Sequence, residues 1–97
     1  MTAIDVRCEG DRSAGWTCAV TLRDGERVVS SHSVRVAAAD LERLDPTAGH
    51  PTGLVEASFA FLLEHEPPSS ILRAFDLPVI GRYFPDYEAT IRRGHAR

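Results

Sequence analysis

The stretch Gly15-Trp16-Thr17-Cys18-Ala19-Val20-Thr21-Leu22-Arg23-Asp24-Gly25 decides the fold class. Trp16, Cys18, Val20 and Leu22 alternate with Thr17, Ala19 and Thr21, the period of a strand with one buried and one wet face. Asp24-Gly25 ends it with a strong hairpin signal. Upstream, residues 2–9 alternate too, with Ile4, Val6 and Cys8 on one face and Ala3, Asp5, Arg7 and Glu9 on the other. Gly10 to Gly15 forms a polar loop between these runs, and a third extended stretch follows over about 26–37.

Two registers are open to the second hairpin. A two-residue loop at Asp24-Gly25 sets Val20 opposite Val29 and turns Ser31, Ser33 and Arg35 toward the apolar side. A three-residue loop, Arg23-Asp24-Gly25 with Gly25 in the left-handed region, sets Val20 opposite Val28. The second brings Val28, Val34 and Val36 inward with Ser30 and His32 and leaves Arg35 in water. Register follows the buried face, so the bulged turn is expected. Strand 2 is then central and both its neighbours are edges.

Beyond Ala37 the period lengthens. Leu41 and Leu44 are spaced for one or two helical turns, which Asp45-Pro46 ends, because a residue before proline resists helical geometry. Pro51 suits a first helical position, with His50 or Thr52 as cap. From about 51 to 65, Leu54, Val55, Ser58, Phe59, Leu62 and Leu63 make a helical stripe, with Glu56, Glu64 and Glu66 off it. Pro67-Pro68 stops this helix. Ile71, Leu72 and Phe75, then Ile80, Tyr83 and Phe84, then residues 86–93, read as short helical pieces broken by prolines. The expected fold class is α+β: a three-stranded antiparallel meander (about 2–9, 15–23 and 26–37), a main amphipathic helix covering its apolar face, and short C-terminal helices, in two layers.

The 97 residues fit one domain, and 43% hydrophobic and 26% charged residues suffice for a core. A chain this short buries a modest share of its surface, which favours self-association. The net charge of −3, from 11 basic and 14 acidic residues, gives no general attraction to phosphates. All the basic residues are arginine, scattered along the chain. No apolar run approaches the ~20 residues that span a bilayer, and the start carries Asp5 rather than a basic-then-apolar leader. The expectation is a cytoplasmic protein without a membrane association, whose Cys8 and Cys18 are reduced thiols.

Chemistry-bearing motifs are sparse. Cys18 and His32 fall on one face of neighbouring strands, diagonal to each other, the nearest approach to a nucleophile–base pair. No third orienting group or oxyanion site accompanies them, so no catalytic residue is assigned. His50, His65 and His95 lack metal-ligand spacing, and no glycine-rich loop could cradle a phosphate, so no metal and no cofactor are expected. Arg7, Thr17, Thr21, Ser31, Ser33 and Arg35 share the outer sheet face with Asp5 and Glu9. With the terminal arginines Arg92, Arg93 and Arg97, they make a nucleic-acid contact an alternative, though no aromatic ring offers bases a stacking platform.

The most distinctive segment is Phe75-Asp76-Leu77-Pro78-Val79-Ile80-Gly81-Arg82-Tyr83-Phe84-Pro85-Asp86-Tyr87, which holds four of the seven aromatics. Phe75, Ile80 and Phe84 read as anchors to the core. Arg82, Tyr83 and Tyr87 read as contact residues, since aromatics and arginine dominate interface hot spots.

Over residues 2–65, the order of three strands and a Glu-bearing amphipathic helix resembles the small sheet-and-helix domains of HicB-type antitoxins. The resemblance lies in element order alone and implies a protein-binding role. The glycine- and cysteine-containing stretch usual in that family's sheet is missing. The tail from Ser69 to Tyr87 has no counterpart there and resembles the C-terminal part of other small prokaryotic proteins, which implies no activity.

The function expected is therefore a non-enzymatic protein-protein interaction module, antitoxin-like or a small homodimer. It would act through the edge strand 26–37, whose outward Val29, Ser31 and Ser33 carry little charge to oppose pairing, or through the aromatic tail. A nucleic-acid-associated regulator comes second, and an enzyme using Cys18 and His32 third.

Overall fold

In the computed structural model, which describes residues 2–95, β2 (Gly15–Asp24) lies between β1 (Thr2–Asp11) and β3 (Arg27–Val36) in an antiparallel meander. Trp16, Cys18, Val20 and Leu22 are buried on one face of β2, as their period requires, while Thr17 and Ala19 face solvent. Helices α1 (Ala38–Leu44) and α2 (Thr52–His65) follow, then a 3₁₀ turn (Pro68–Ser70), a short strand β4 (Ala74–Asp76), and helices α3 (Val79–Tyr83) and α4 (Tyr87–His95). This is an α+β fold: a four-stranded mixed sheet in the order β1-β2-β3-β4, with helices on one face. Ala96 and Arg97, the end of the basic tail, lie outside the described residues.

The β2–β3 turn differs from both sequence registers. The loop is Gly25-Glu26, with Gly25 at φ 65° and no positive φ at Glu26, the pattern of a type II′ turn. The bulge sits further in: Arg23 faces Val28 and Leu22 faces Ser30, so Val29 is the extra residue. Val20 consequently lies opposite His32 rather than Val28, a displacement of four residues. An even displacement leaves every side chain on its face. His32, Val34 and Val36 are indeed buried and Ser30 half-buried, but Val28, beyond the bulge, is 49% exposed.

Two further corrections concern the edges and the cysteines. β3 is not a free edge along its second half, because β4 pairs with it in parallel over Ser33–Arg35. The Ser33 N–H donates to the Arg73 carbonyl (2.7 Å) and the Leu77 N–H to the Arg35 carbonyl (2.9 Å). Three residues cannot announce themselves as a strand by period; what creates β4 is the open ladder of β3, which a returning chain can satisfy. Cys8 and Cys18 are not thiols but a disulfide, and the two residues face each other directly across β1 and β2. The ladder reaches this register because β1 extends to Asp11 and the loop shrinks to residues 12–14, held by Asp11, whose carboxylate accepts from the Ser13 hydroxyl (3.0 Å) and the Ala14 N–H (2.8 Å). Those two bonds hold the Asp11 carboxyl below its usual range.

The core lies between the sheet and α2. Leu54, Val55, Ser58, Phe59 and Leu62 of the expected stripe are buried, and Leu63 is half-buried. Phe61 is buried as well, on a second side of α2 that the tail covers: its ring lies 5.8 Å from Phe84 and 5.4 Å from Tyr87. Tyr87, expected at a contact surface, is completely buried. The Ser58 hydroxyl reaches both the Leu54 carbonyl (2.7 Å) and the Tyr87 hydroxyl (2.7 Å). A carbonyl only accepts, so Ser58 spends its single proton there and Tyr87 donates to Ser58. α4 is also tied to α1, where Arg43 makes two bonds of 3.2 Å to the Glu88 carboxylate.

The bridge and the Ser58–Tyr87 seam each carry a measurable share of the stability. Constraining an unfolded loop of ten-residue separation is worth about 2–3 kcal/mol, so reduction, or Cys8→Ala with Cys18→Ala, should lower the urea midpoint by that stability; an unchanged midpoint would show the bridge inert. Burial raises the Tyr87 phenol above its ordinary value. The stability linked to this neutral phenol is complete below the unfolded value of about 10 and is lost as pH rises beyond it. Tyr87→Phe should cost about 1 kcal/mol at neutral pH while flattening the alkaline limb of the stability curve. Ser58→Ala, which strands the buried Tyr87 donor, should cost more, about 1–3 kcal/mol. Urea titrations at neutral and alkaline pH measure both.

Candidate functional site: an apolar groove beside the sheet

After α2 the chain must turn back toward β3, and Pro67 and Pro68 force it out of helical geometry. The return path and the end of α2 do not close on each other. Between them lies a groove of about 340 Å³, at the small end of the ~300–1,000 Å³ range of ligand sites. Leu62, Ile71 and Ile80 form its buried floor, and Phe75, Val79 and Phe84 its half-buried walls. Tyr83, 67% exposed, and Leu72, 47% exposed, stand on the rim. The polar lining is confined to Glu66 and Ser70.

Each wall has a structural reason. Phe84 stacks on His65, with ring centres 5.0 Å apart and planes 25° apart. Phe75 lies 6.1 Å from Phe59, which is 5.4 Å from the His32 ring. At Gly81 α3 passes beside α4, and an added Cβ would make only ordinary contacts with Tyr87 and Glu88 at 3.9 Å, so the packing does not require glycine there.

His32 fixes the segment carrying Leu72. It is buried, and its Nδ1 lies 2.7 Å from the Leu72 carbonyl. That carbonyl accepts, so Nδ1 carries the proton, and in the neutral ring Nε2 accepts from the Ser30 hydroxyl at 2.9 Å. Both ring nitrogens are thereby engaged. Cys18 and His32 are diagonal across β2 and β3, as expected, but Cys18 is bonded to Cys8 and offers no thiolate while that bond stands. The structure brings the two residues together without making them a nucleophile–base pair.

The other expected contact residues disperse. Val29 is exposed at the bulge, and Ser31 and Ser33 project into solvent, with the Ser33 backbone engaged by the tail. Arg82 is exposed on α3 beside Tyr83. Tyr83 alone among the six joins the groove, and Tyr87 belongs to the core. The groove itself was not legible, because its lining comes from four separate elements, although Leu72, exposed within an otherwise anchoring run, is the residue an off-stripe reading would pick out.

Arg7, Thr17 and Arg35 are exposed on the outer sheet face, where Asp5 accepts from Arg23 at 2.6 Å and Thr17 from Arg35 at 3.5 Å. Among the described residues no cluster of three or more His, Cys, Asp or Glu could hold a metal ion, and no helix is long and apolar enough to cross a membrane. No protein-family model, curated protein or solved structure matches the chain.

His32 is thus a positioning residue for the groove wall. His32→Ala should cost about 1–3 kcal/mol by stranding the Leu72 carbonyl, and should speed amide exchange selectively over residues 72–77. Uniform loss of protection across the chain would show that His32 serves the whole core instead.

Proposed function

We propose that this chain is a non-enzymatic protein-protein interaction module whose groove takes up an apolar side chain of a partner protein. The observation that carries the reading is the exposure of Tyr83 and Leu72 on the rim of an otherwise apolar groove. Binding energy in protein interfaces concentrates on aromatic anchors over desolvated pockets. A tyrosine standing in water above a floor of Leu62, Ile71 and Ile80 is such an anchor without its cover. Glu66 and Ser70 at the rim supply one carboxylate and one hydroxyl, enough to orient a ligand backbone but not to bind a highly charged one. Engagement of Cys18 in a disulfide and of both His32 nitrogens in hydrogen bonds supports a role other than catalysis. An antitoxin-like role belongs to this reading as the case in which the partner is a toxin protein.

Selection from a displayed peptide library tests it. Enriched sequences should share one large apolar side chain. Tyr83→Ala and Leu72→Glu should each weaken the selected peptide at least about tenfold, with the thermal midpoint nearly unchanged. Absence of enrichment, or binding indifferent to both substitutions, would refute the groove as a protein-binding site.

A further inference from the structure

β1 leaves one edge of the sheet without a neighbouring strand among the described residues, since the order runs β1-β2-β3-β4. Which backbone groups face that edge follows from one distance. Directly opposite residues in an antiparallel pair lie about 5.5 Å apart when they exchange hydrogen bonds and about 4.5 Å when they do not. Cys8 and Cys18, directly opposite, have Cα atoms 4.0 Å apart, so theirs is a non-bonded pair. Bonded and non-bonded pairs alternate, so the N–H and C=O groups of Ile4, Val6 and Cys8 all point away from β2, toward the open edge. The far edge of the sheet checks this parity. Cys18 must turn its backbone toward Val34 on β3, leaving Ser33 and Arg35 to face outward, and those are the residues that bond Arg73 and Leu77.

We propose that β1 pairs antiparallel with β1 of a second copy of this chain, about a two-fold axis at Val6, joining two four-stranded sheets into one. In that register Val6 meets Val6, and Ile4 meets Cys8 of the second copy, all with outward-pointing backbone groups that complete a ladder. The half-buried side chains of Ile4, Val6 and Cys8 then cover one another on the helix-bearing face. On the opposite face, Asp5 meets Arg7 of the second copy, and Arg7 meets its Asp5, at the closely spaced non-bonded positions.

Charge selects this register. Centring the pair on Asp5 or on Arg7 sets like charges face to face. Centring it on Cys8 aligns Arg7 with Glu9 but opposes Asp5 to Asp11, and centring it on Ile4 leaves Asp5 and Arg7 without charged partners. Among the described residues no hydrogen bond or ion pair engages the Arg7 side chain. Asp5 receives Arg23 on Oδ2 only, which leaves Oδ1 open. The isologous pairing supplies one cation to one free oxygen, twice.

Sedimentation equilibrium of the full chain and its charge variants tests the register. The natural chain should dimerise. Asp5→Arg alone and Arg7→Asp alone each replace two attractions by two repulsions and should weaken self-association roughly tenfold. The double swap, Asp5→Arg with Arg7→Asp, should restore the dimer, as should mixing the two single variants, since each then meets its complement. In the dimers, the amides of Ile4, Val6 and Cys8 should be protected from exchange. A natural chain that stays monomeric, single variants that associate as well as it does, or a swap and a mixture that remain monomeric would each overturn the proposal. None of these outcomes depends on the groove.

Discussion

The hydrogen bond from His32 to the Leu72 carbonyl is where the sheet meets the C-terminal third of the chain, and the rest of that third depends on it. A three-residue strand and a five-residue helix have no stability of their own, because helix nucleation costs more than so few bonds return. They persist because β3 offers them a template. His32 holds residue 72, the Ser33 amide holds residue 73 and the Arg35 carbonyl holds residue 77, three attachments in sequence along one strand. A histidine in the middle of an apolar row, otherwise a costly choice, is thereby explained: it is the side chain that can donate sideways to a carbonyl while its ring packs on Phe59.

Once the tail is anchored, α2 acquires a second buried side. Its first side packs Leu54, Val55, Phe59 and Leu62 into the core, and its second receives Phe84 and Tyr87 against Phe61. Ser58 completes the contact in a way that alanine could not. Its proton goes to the helix carbonyl one turn back, and its oxygen remains to accept from Tyr87, so a buried hydroxyl on each side of the seam is satisfied. The groove is the remainder of this arrangement, the space where α2 has ended and the returning chain has not yet reached the sheet.

What the sequence made legible was local periodicity, and what it hid was pairing at a distance. The faces of β2 and most of β3 follow from alternation, and α2 from its stripe, with ends within a residue or two. The β2–β3 register was displaced because two apolar valines, Val28 and Val29, invite burial that a bulge in fact denies them. Tyr87 was misread, and Phe61 lies outside the stripe that was read, for a single reason: each is buried by the other's element, and neither contact has a period. The expectation of free thiols rested on compartment rather than on geometry. The alternation of Cys8 with Val6 and of Cys18 with Val20 had already placed both sulfurs on the same face of adjacent strands.

The disulfide also changes what kind of edge β1 is. A strand with one neighbour is normally the first part of a sheet to fray, and fraying makes a poor template for another chain. Here β1 is paired to β2 along all ten residues and covalently fastened near one end of that ladder, with its Ile4, Val6 and Cys8 side chains packed against the core. Its open backbone groups are therefore held in position before any partner arrives, which lowers the ordering cost of association. The two edges of the sheet are managed in opposite ways. β3 is covered over Ser33–Arg35 by the chain's own tail, whereas β1 is stiffened and, among the described residues, left open with alternating charge, and in a sheet the residues directly opposite one another across an edge decide what that edge accepts.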